Sequence, residues 1–425
     1  MKKTIHKVIL IHIPLFLLIW LFHVKLIIVD NNIPENFQEN IETNISKYIT
    51  SDKEKKSNNN LENNIWDNKN KIYEIKNNSD KKILNNNIWE NNSEIIIWDT
   101  ADEIIYKKDI EIAFLWDVMI WSRVWDAMDK NWADYVYGGT KDYLSQKDAV
   151  ILNLETTVTN REEKINKTYT FKAKTQHLEW IKQFNDTIVA NLANNHIWDY
   201  KSEWVVDTIN NLKNNDIEYF GAWINKAEAD SVKIITVEWV KIALIWQTCV
   251  NPTSFWASET KAGNSRFDKD IILKEIKLSH ENKVDIIVYN MHCWTEYTNW
   301  PNSIQKEYAH FAIDSWADLV IWHHPHRYQP IEIYKDKLIF YSLWDYIFDI
   351  FRWRRTQEGI IANIKISDNK IVWVEIIPTY TQWYWNTVIS NKSKREFALN
   401  ELYEISKKLG KIEWINEGYI NLIKK

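Results

Sequence analysis

The chain has 425 residues and carries 53 Lys+Arg against 58 Asp+Glu, a formal net charge of −5. That balance lacks the basic footprint of a nucleic-acid binder, and two cysteines, Cys249 and Cys293, are too few for a disulfide framework, so the fold must rest on its own core. One pair of frequencies is abnormal: 25 Trp stand beside 7 Gly, although Gly ordinarily makes up about 7% of a chain.

The N-terminus opens with lysines, followed by an apolar run from Val8 to Val29 interrupted by His12, His23 and Lys25. A run of that length can span a bilayer. Lysines before it predict a cytoplasmic N-terminus and an exported remainder. Residues 1–30 are therefore read as a transmembrane anchor or signal segment, and the absence of a small-residue cleavage site favours the anchor. Residues 31–105 are read as an Asn/Lys-rich disordered linker. The stretch 31–100 holds 19 Asn with only scattered Ile, too little apolar surface to offset its ordering entropy. This places the remainder on the extracytoplasmic side of the cell membrane, on a single-pass tether.

From Asp109 short apolar runs alternate with helical patterns, as an α/β domain requires. Strands are predicted at Ile110–Leu115, Ala149–Leu154, Thr187–Leu192, Lys241–Ile245, Val284–Tyr289 and Asp318–Ile321. A hairpin over Ile331–Tyr334 and Leu338–Tyr341 follows, then strands at Ile360–Ile366 and Ile371–Ile377. Helices fit Gln176–Phe184, Glu203–Asn214, Lys269–Leu278 and Ser303–Asp314, with Ser202 and Asp268 at N-cap positions. The domain is expected over 106–380, with a helical tail over 381–425. Trp-Asp pairs begin at 66, 98, 116, 125, 198 and 344; this irregular spacing excludes a propeller, whose repeats recur about every 40–45 residues.

Functional groups in open α/β sheets lie just past the carboxyl ends of strands. Here those positions hold Asp117, Glu155, Asn195 with His196, His292, and His324 with His326. Singly, each has a plain structural reading: a helix cap, a turn hydrogen bond, a satisfied core histidine. Together they make a ligand set. Mixed carboxylate and imidazole donors suit Mn, Fe or Zn, and two such ions a few Å apart can activate water and clamp phosphoryl oxygens.

The ordered blocks Asp117-Val-Met-Ile, Asn153-Leu-Glu155, Ala193-Asn-Asn-His196 with Asp199-Tyr200, Gly221-Ala, His292-x-x-x-Glu296-Tyr297, His324-Pro-His326 and Tyr341-Ser-Leu resemble the CapA family of capsule and poly-γ-glutamate biosynthesis proteins. The resemblance runs from about Ile110 to Pro378. It implies a calcineurin-like metallophosphoesterase-type sandwich of mixed sheets flanked by helices. It further implies that Asp117, Glu155, Asn195, His292, His324 and His326 bind two divalent metal ions, while His196 contacts the substrate anion or acts as acid. Arg123 falls where the family often has a basic residue and either binds the anion or makes a surface salt bridge. Glu296 and Asp199 are candidates to orient ligands from behind, and His323 is left outside the ligand set. Asp345 stands where the family usually has Asn, and Cys293 where it has Trp.

Two functional classes follow: a metal-dependent hydrolase acting on a phosphoester or related anionic bond, or a non-catalytic accessory that binds or exports an anionic envelope polymer. A structural envelope protein would have no need of these ligands. Trp116, Trp121, Trp204, Trp223, Trp294, Trp316, Trp322 and Trp344 fall where the resembling family has Gly. This pattern, with the shortage of Gly, is what UGA codons read as glycine by the native organism would produce under the standard code. On that reading several of these indoles should be exposed, poorly packed or crowding the site, because Gly permits positive φ and close backbone approach.

Overall fold

A computed structural model describes residues 108–422, apart from breaks at 132–133, 230, 266, 294, 350–356, 383–384, 411, 413 and 416–417, together with a few strands nearer the N-terminus. The chain divides into two units, Met1–Lys108 and Asp109–Lys425. In the first, Lys71–Lys76 pairs antiparallel with Lys81–Asn86 and with Ile104–Tyr106, and Ile9–Leu10 pairs with Ile27–Ile28. Apart from Tyr106, these strands fall within residues 1–105, which the sequence reads as anchor and linker. The rest of the candidate anchor and linker lies outside the described residues. Among the described residues no helix is long and apolar enough to cross a membrane.

The second unit is a mixed α/β fold. Its first half runs β1 (Ile110–Val118), α1 (Arg123–Asn131), α2 (Asp134–Leu144), β2 (Ala149–Leu154), β3 (Ile188–Asn191), α3 (Ser202–Asn214) and β4 (Glu218–Phe220). Then come β5 (Lys233–Val237), β6 (Val240–Thr248), α4 (Lys269–Glu281), β7 (Ile286–His292), α5 (Ser303–Asp314), β8 (Leu319–His323), β9 (Ile331–Tyr334) and β10 (Lys337–Phe340). The chain closes with β11 (Glu358–Ser367), β12 (Lys370–Thr381), β13 (Thr387–Ile389), α6 (Lys392–Ser406), β14 (Trp414–Ile415) and β15 (Tyr419–Asn421).

One sheet has the order β4-β3-β2-β1-β11-β12-β15-β14, with β13 also on β12; the other has the order β5-β6-β7-β8-β10-β9. Strands β1 to β4 are mutually parallel, as are β6, β7, β8 and β10, while the hairpin partners run antiparallel. The period-two rule sorts their side chains. From β1, Ile112, Phe114 and Trp116 join Ile242, Leu244, Ile286, Val288, Leu319 and Ile321 in one core shared by the two sheets. Ala113 and Leu115 pack instead beneath Val124, Met128, Val205 and Ile209 of the helices. Ile287, Tyr289, Val320 and Trp322 form the corresponding layer with Ile272, Ile276, Ala309 and Ala312. Sheet faces sheet, and helices cover each outer face.

Differences from expectation are local. Gln176–Phe184 is not one helix but a 3₁₀ turn, Thr175–His177, running into Leu178–Ile181. Its apolar residues Leu178, Ile181 and Phe184 recur every three positions, a spacing that a tighter turn keeps on one face. Asp268 caps α4 by accepting from Asp270 N–H at 2.9 Å, but Ser202 is the first helical residue of α3 and not its cap. The tail holds α6 and also β13 to β15, which extend the first sheet. Cys249 and Cys293 form a disulfide, a tie that the cysteine count alone did not lead us to expect.

Candidate metal centre

The ligand-type residues meet because they end neighbouring parallel strands in both sheets. The register of β1 on β2 shifts between Leu115 and Asp117, bulging Trp116 and setting Asp117 opposite Asn153. Such a bulge re-aims the side chain that follows it. Glu155 comes directly after β2, its N–H donating to Val118 O at 3.0 Å. Beyond β3, the Asn194 side-chain Oδ1 accepts from the N–H groups of His196 (3.0 Å) and Ile197 (3.1 Å), while its Nδ2 donates to Leu154 O. That fold-back fixes Asn195 and His196 in place. His292 ends β7, His323 ends β8, and His324 and His326 follow with φ of 92° and 51°.

Around Asp117 the distances are short. Asn153 donates to its Oδ1 at 2.6 Å, His323 Nδ1 lies 3.4 Å from Oδ1, and His326 Nδ1 lies 3.7 Å from Oδ2. Glu155 Oε1 is 3.8 Å from Nε2 of both His292 and His196. His292 Nε2 is also 2.8 Å from Asn195 Oδ1. One ligand atom each from Asp117, Glu155 and His292 falls within 4.8 Å of the others; the same holds for Asp117, His326 and Asp345, and for Glu296, His324 and His326. The first two trios share Asp117 and the last two share His326. All six residues expected as ligands are thus brought together, and Asp345 and Glu296 join them.

The donors fit a cation. Glu155 and His292 are fully buried, and Asp117, Asp345 and His324 nearly so. Yet both oxygens of Glu155, both of Asp345, Oδ2 of Asp117 and Nδ1 of His324 have no hydrogen-bond partner. Buried carboxylate oxygens in that state are costly unless something positive meets them. Burial and then the charges of Asp117 and Asp345 push the Glu155 carboxyl far above the usual range. Burial and the Asp117 charge do the same to Asp345. Asp117 goes the other way: burial raises it, but the His323 hydrogen bond and the imidazoles of His292, His323 and His326 outweigh that and hold it low. Burial pushes the His292 imidazole well down and His324 to about 3, so both offer neutral nitrogens.

His196 is built differently. Its Nδ1 sits 2.6 Å from Asp199 Oδ2, and its ring stacks on Phe171 at 3.7 Å. Asp199 also accepts from Lys167 Nζ at 2.7 Å and Phe171 N–H at 2.6 Å, and Lys167 donates to Asn195 O at 2.8 Å. The imidazole is locked with Nε2 toward Glu155. Lys167 and Phe171 carried no signal in the sequence, because the loop that returns them to His196 has no periodicity.

Arg123 does not join this group. Its Nε pairs with Asp349 Oδ1 at 2.7 Å, and its guanidinium donates to Asp349 O at 2.8 Å, in a pair whose Arg side is 57% exposed. His323 stacks on Trp116 (5.2 Å) and packs against Trp246 (4.7 Å), supporting Asp117 from the core. Glu296 is exposed and grouped with His324 and His326 as a candidate ligand, whereas the sequence suggested only an orienting role.

The tryptophans divide. Trp116 and Trp322 are fully buried with satisfied indoles, donating to Trp322 O at 2.8 Å and Cys293 O at 3.1 Å. These two run against the expected poor packing. Trp316 is 76% exposed at φ 84°, Trp344 adopts φ 63°, and the buried indole N–H groups of Trp204, Trp223 and Trp344 find no acceptor. Trp294 lies outside the described residues.

Fold and site define an α/β protein with a buried, mixed carboxylate–imidazole centre at its strand ends. Residues 111–350 match the family model described as bacterial capsule synthesis protein PGA_cap, and the chain belongs to that family. It is 29% identical over 283 residues to the capsule biosynthesis protein CapA of Bacillus anthracis, covering 65% of this chain and 68% of that one. To the PGA biosynthesis protein CapA of Bacillus subtilis it is 28% identical over 277 residues, covering 64% and 72%. A Mycobacterium tuberculosis relative named "Probable polyglutamine synthesis accessory protein" is 25% identical over 215 residues, covering 48% and 56%. Among solved structures, the NAD nucleotidase of Haemophilus influenzae aligns with a TM-score of 0.36 and 13% identity over 70% of this chain and 63% of that one.

Proposed function

We propose that this chain is a metal-dependent hydrolase of the metallophosphoesterase type that cleaves a phosphoester or related anionic bond during capsule or poly-γ-glutamate biosynthesis. The observation that carries the reading is the meeting of Asp117, Glu155, Asn195, His292, His324 and His326, with buried carboxylate oxygens that lack any donor. Two divalent ions, Mn, Fe or Zn, would be held there and would supply charge stabilisation for the anion and an acidified water. His196 presents Nε2 to the same space while Asp199 fixes its Nδ1, an arrangement suited to donating a proton to a leaving oxygen. The site works outside the cell membrane, on a domain tethered by the N-terminal segment.

The word "accessory" in the name of the Mycobacterium tuberculosis relative leads us to keep a second reading, in which the same centre binds an anionic envelope polymer without turning it over. Manganese-loaded protein assayed on p-nitrophenyl phosphate and bis-p-nitrophenyl phosphate separates the two. Metal-dependent turnover that vanishes in His196→Ala supports the hydrolase. Retained binding of poly-γ-glutamate with no turnover on any phosphoester would replace it with the accessory role.

A further inference from the structure

Between β10 and β11 the chain carries a buried carboxylate whose surroundings leave it without a structural task. Asp345 is 5% exposed, and neither of its carboxylate oxygens has a hydrogen-bond partner. Its placement is nonetheless fixed. The N–H groups of Tyr346 and Ile347 both donate to Asp117 O at 3.2 Å, and Met119 N–H donates to Ile347 O at 2.8 Å. From the other side Gly359 packs so closely that a Cβ there would stand 1.9 Å from Asp345 O. Backbone pairing thus ties Asp345 to the strand end that carries Asp117.

A carboxylate that merely oriented an imidazole would sit at hydrogen-bond distance, roughly 2.7–2.9 Å for a charged pair. Asp345 Oδ1 is 3.5 Å from His326 Nδ1, too far for that bond, and Oδ2 has no partner at all. The spacing suits donors around a shared cation: one atom each of Asp117, His326 and Asp345 lies within 4.8 Å of the other two. We propose that Asp345 is itself a metal ligand, holding the second ion with His326 and Asp117, while Asp117 also reaches the ion held by Glu155 and His292. The proposal rests on the dinuclear reading above. A carboxylate at this position adds a negative charge that a neutral amide would lack, so Asp345→Asn should hold the second ion less tightly.

The test is metal stoichiometry of the full chain and of Asp345→Ala, by elemental mass spectrometry after equilibration with manganese. Spin-coupling between the two ions is read by electron paramagnetic resonance. The isosteric Asp345→Asn serves as the variant that keeps the fold if the alanine form is insoluble. Two ions in the wild type, one in Asp345→Ala, loss of the coupled signal, and at least tenfold weaker second-ion binding in Asp345→Asn are the expected results. Two ions with unchanged affinity in both variants would overturn the role of Asp345 and leave the dinuclear centre standing. Fewer than two ions in the wild type would overturn the dinuclear reading, and this assignment with it.

Discussion

Trp316 offers the sharpest test of what the abundant tryptophans are. It stands one residue past Ser315, the C-cap of α5, at φ 84°. Its N–H donates to Ile313 O at 3.0 Å, and Ala317 N–H donates to Ala312 O at 2.9 Å. These are the paired hydrogen bonds of a Schellman turn, whose left-handed residue is usually Gly. A side chain there costs about 1–2 kcal/mol, and an indole 76% exposed recovers little of that by burial. Gly surrenders some of the gain to the entropy of the unfolded chain. Trp316→Gly is therefore expected to stabilise the protein by about 1 kcal/mol, which for a domain of this size raises Tm by about 1–2 °C. Trp316→Ala keeps the Cβ and the strain, so it should gain almost nothing. Urea unfolding at constant m measures both. A Gly variant less stable than wild type, or an Ala variant that gains as much as the Gly variant, would show that the backbone does not ask for glycine.

Three further outcomes follow from the site. Asp117→Ala should lose metal, because it removes the carboxylate shared by two donor trios, whereas His196→Ala should keep its metal and lose turnover; equal metal loss in both would contradict the division of roles. Glu155 and Asp345 have raised pKa values in the metal-free fold, so they keep protons at pH values where an ordinary carboxyl has lost them. Metal loading must expel those protons, and affinity should climb with pH through the window above the usual carboxylate range. Calorimetry in buffers of different ionisation enthalpy reads the protons released, and a value of zero would refute the linkage. Gly359→Ala drives a Cβ against the Asp345 carbonyl; about 1–3 kcal/mol of stability should be lost, together with metal at the Asp345 end, and an unchanged metal content would refute the coupling.

How far the sequence reaches is decided by what sets each feature. Strands β1, β2, β7 and β8 are legible because both their faces are buried, leaving continuous apolar runs such as Ala149-Val-Ile-Leu that end at candidate ligands. β5 escaped notice because it is an edge strand with Lys233 and Thr236 among its apolar residues. The clustering of the candidate ligands was legible through their position after strand ends. Asp345 was not, since it follows no strand directly and its aim is set by hydrogen bonds to Asp117 O, more than 200 residues earlier in the chain. Arg123 was left open between an anion site, which the family resemblance implies, and a surface salt bridge; the structure pairs it with Asp349, 226 residues away, a partner that no local pattern in the sequence points to.

The same distinction bears on how a substrate reaches the centre. His326 is nearly buried, with the Trp344 ring 4.8 Å away and Phe348 5.0 Å away. Trp344 combines φ 63° with a buried indole N–H that has no acceptor, two costs that a glycine at that position would not bear. Trp116 and Trp322, by contrast, fill space and satisfy their N–H groups, so packing alone does not mark them as foreign. The reading of UGA as glycine therefore rests on backbone conformation at Trp316 and Trp344, and on the unsatisfied indoles of Trp204 and Trp223, more than on crowding. If it holds, the wall beside His326 and Asp345 is glycine backbone, and the centre opens on the side where the second metal is proposed to sit. The codons decide: UGG at Trp316 and Trp344 would make the closed wall genuine and require Trp344 to move before an anion could approach His326, whereas UGA there would leave that approach open in the native protein.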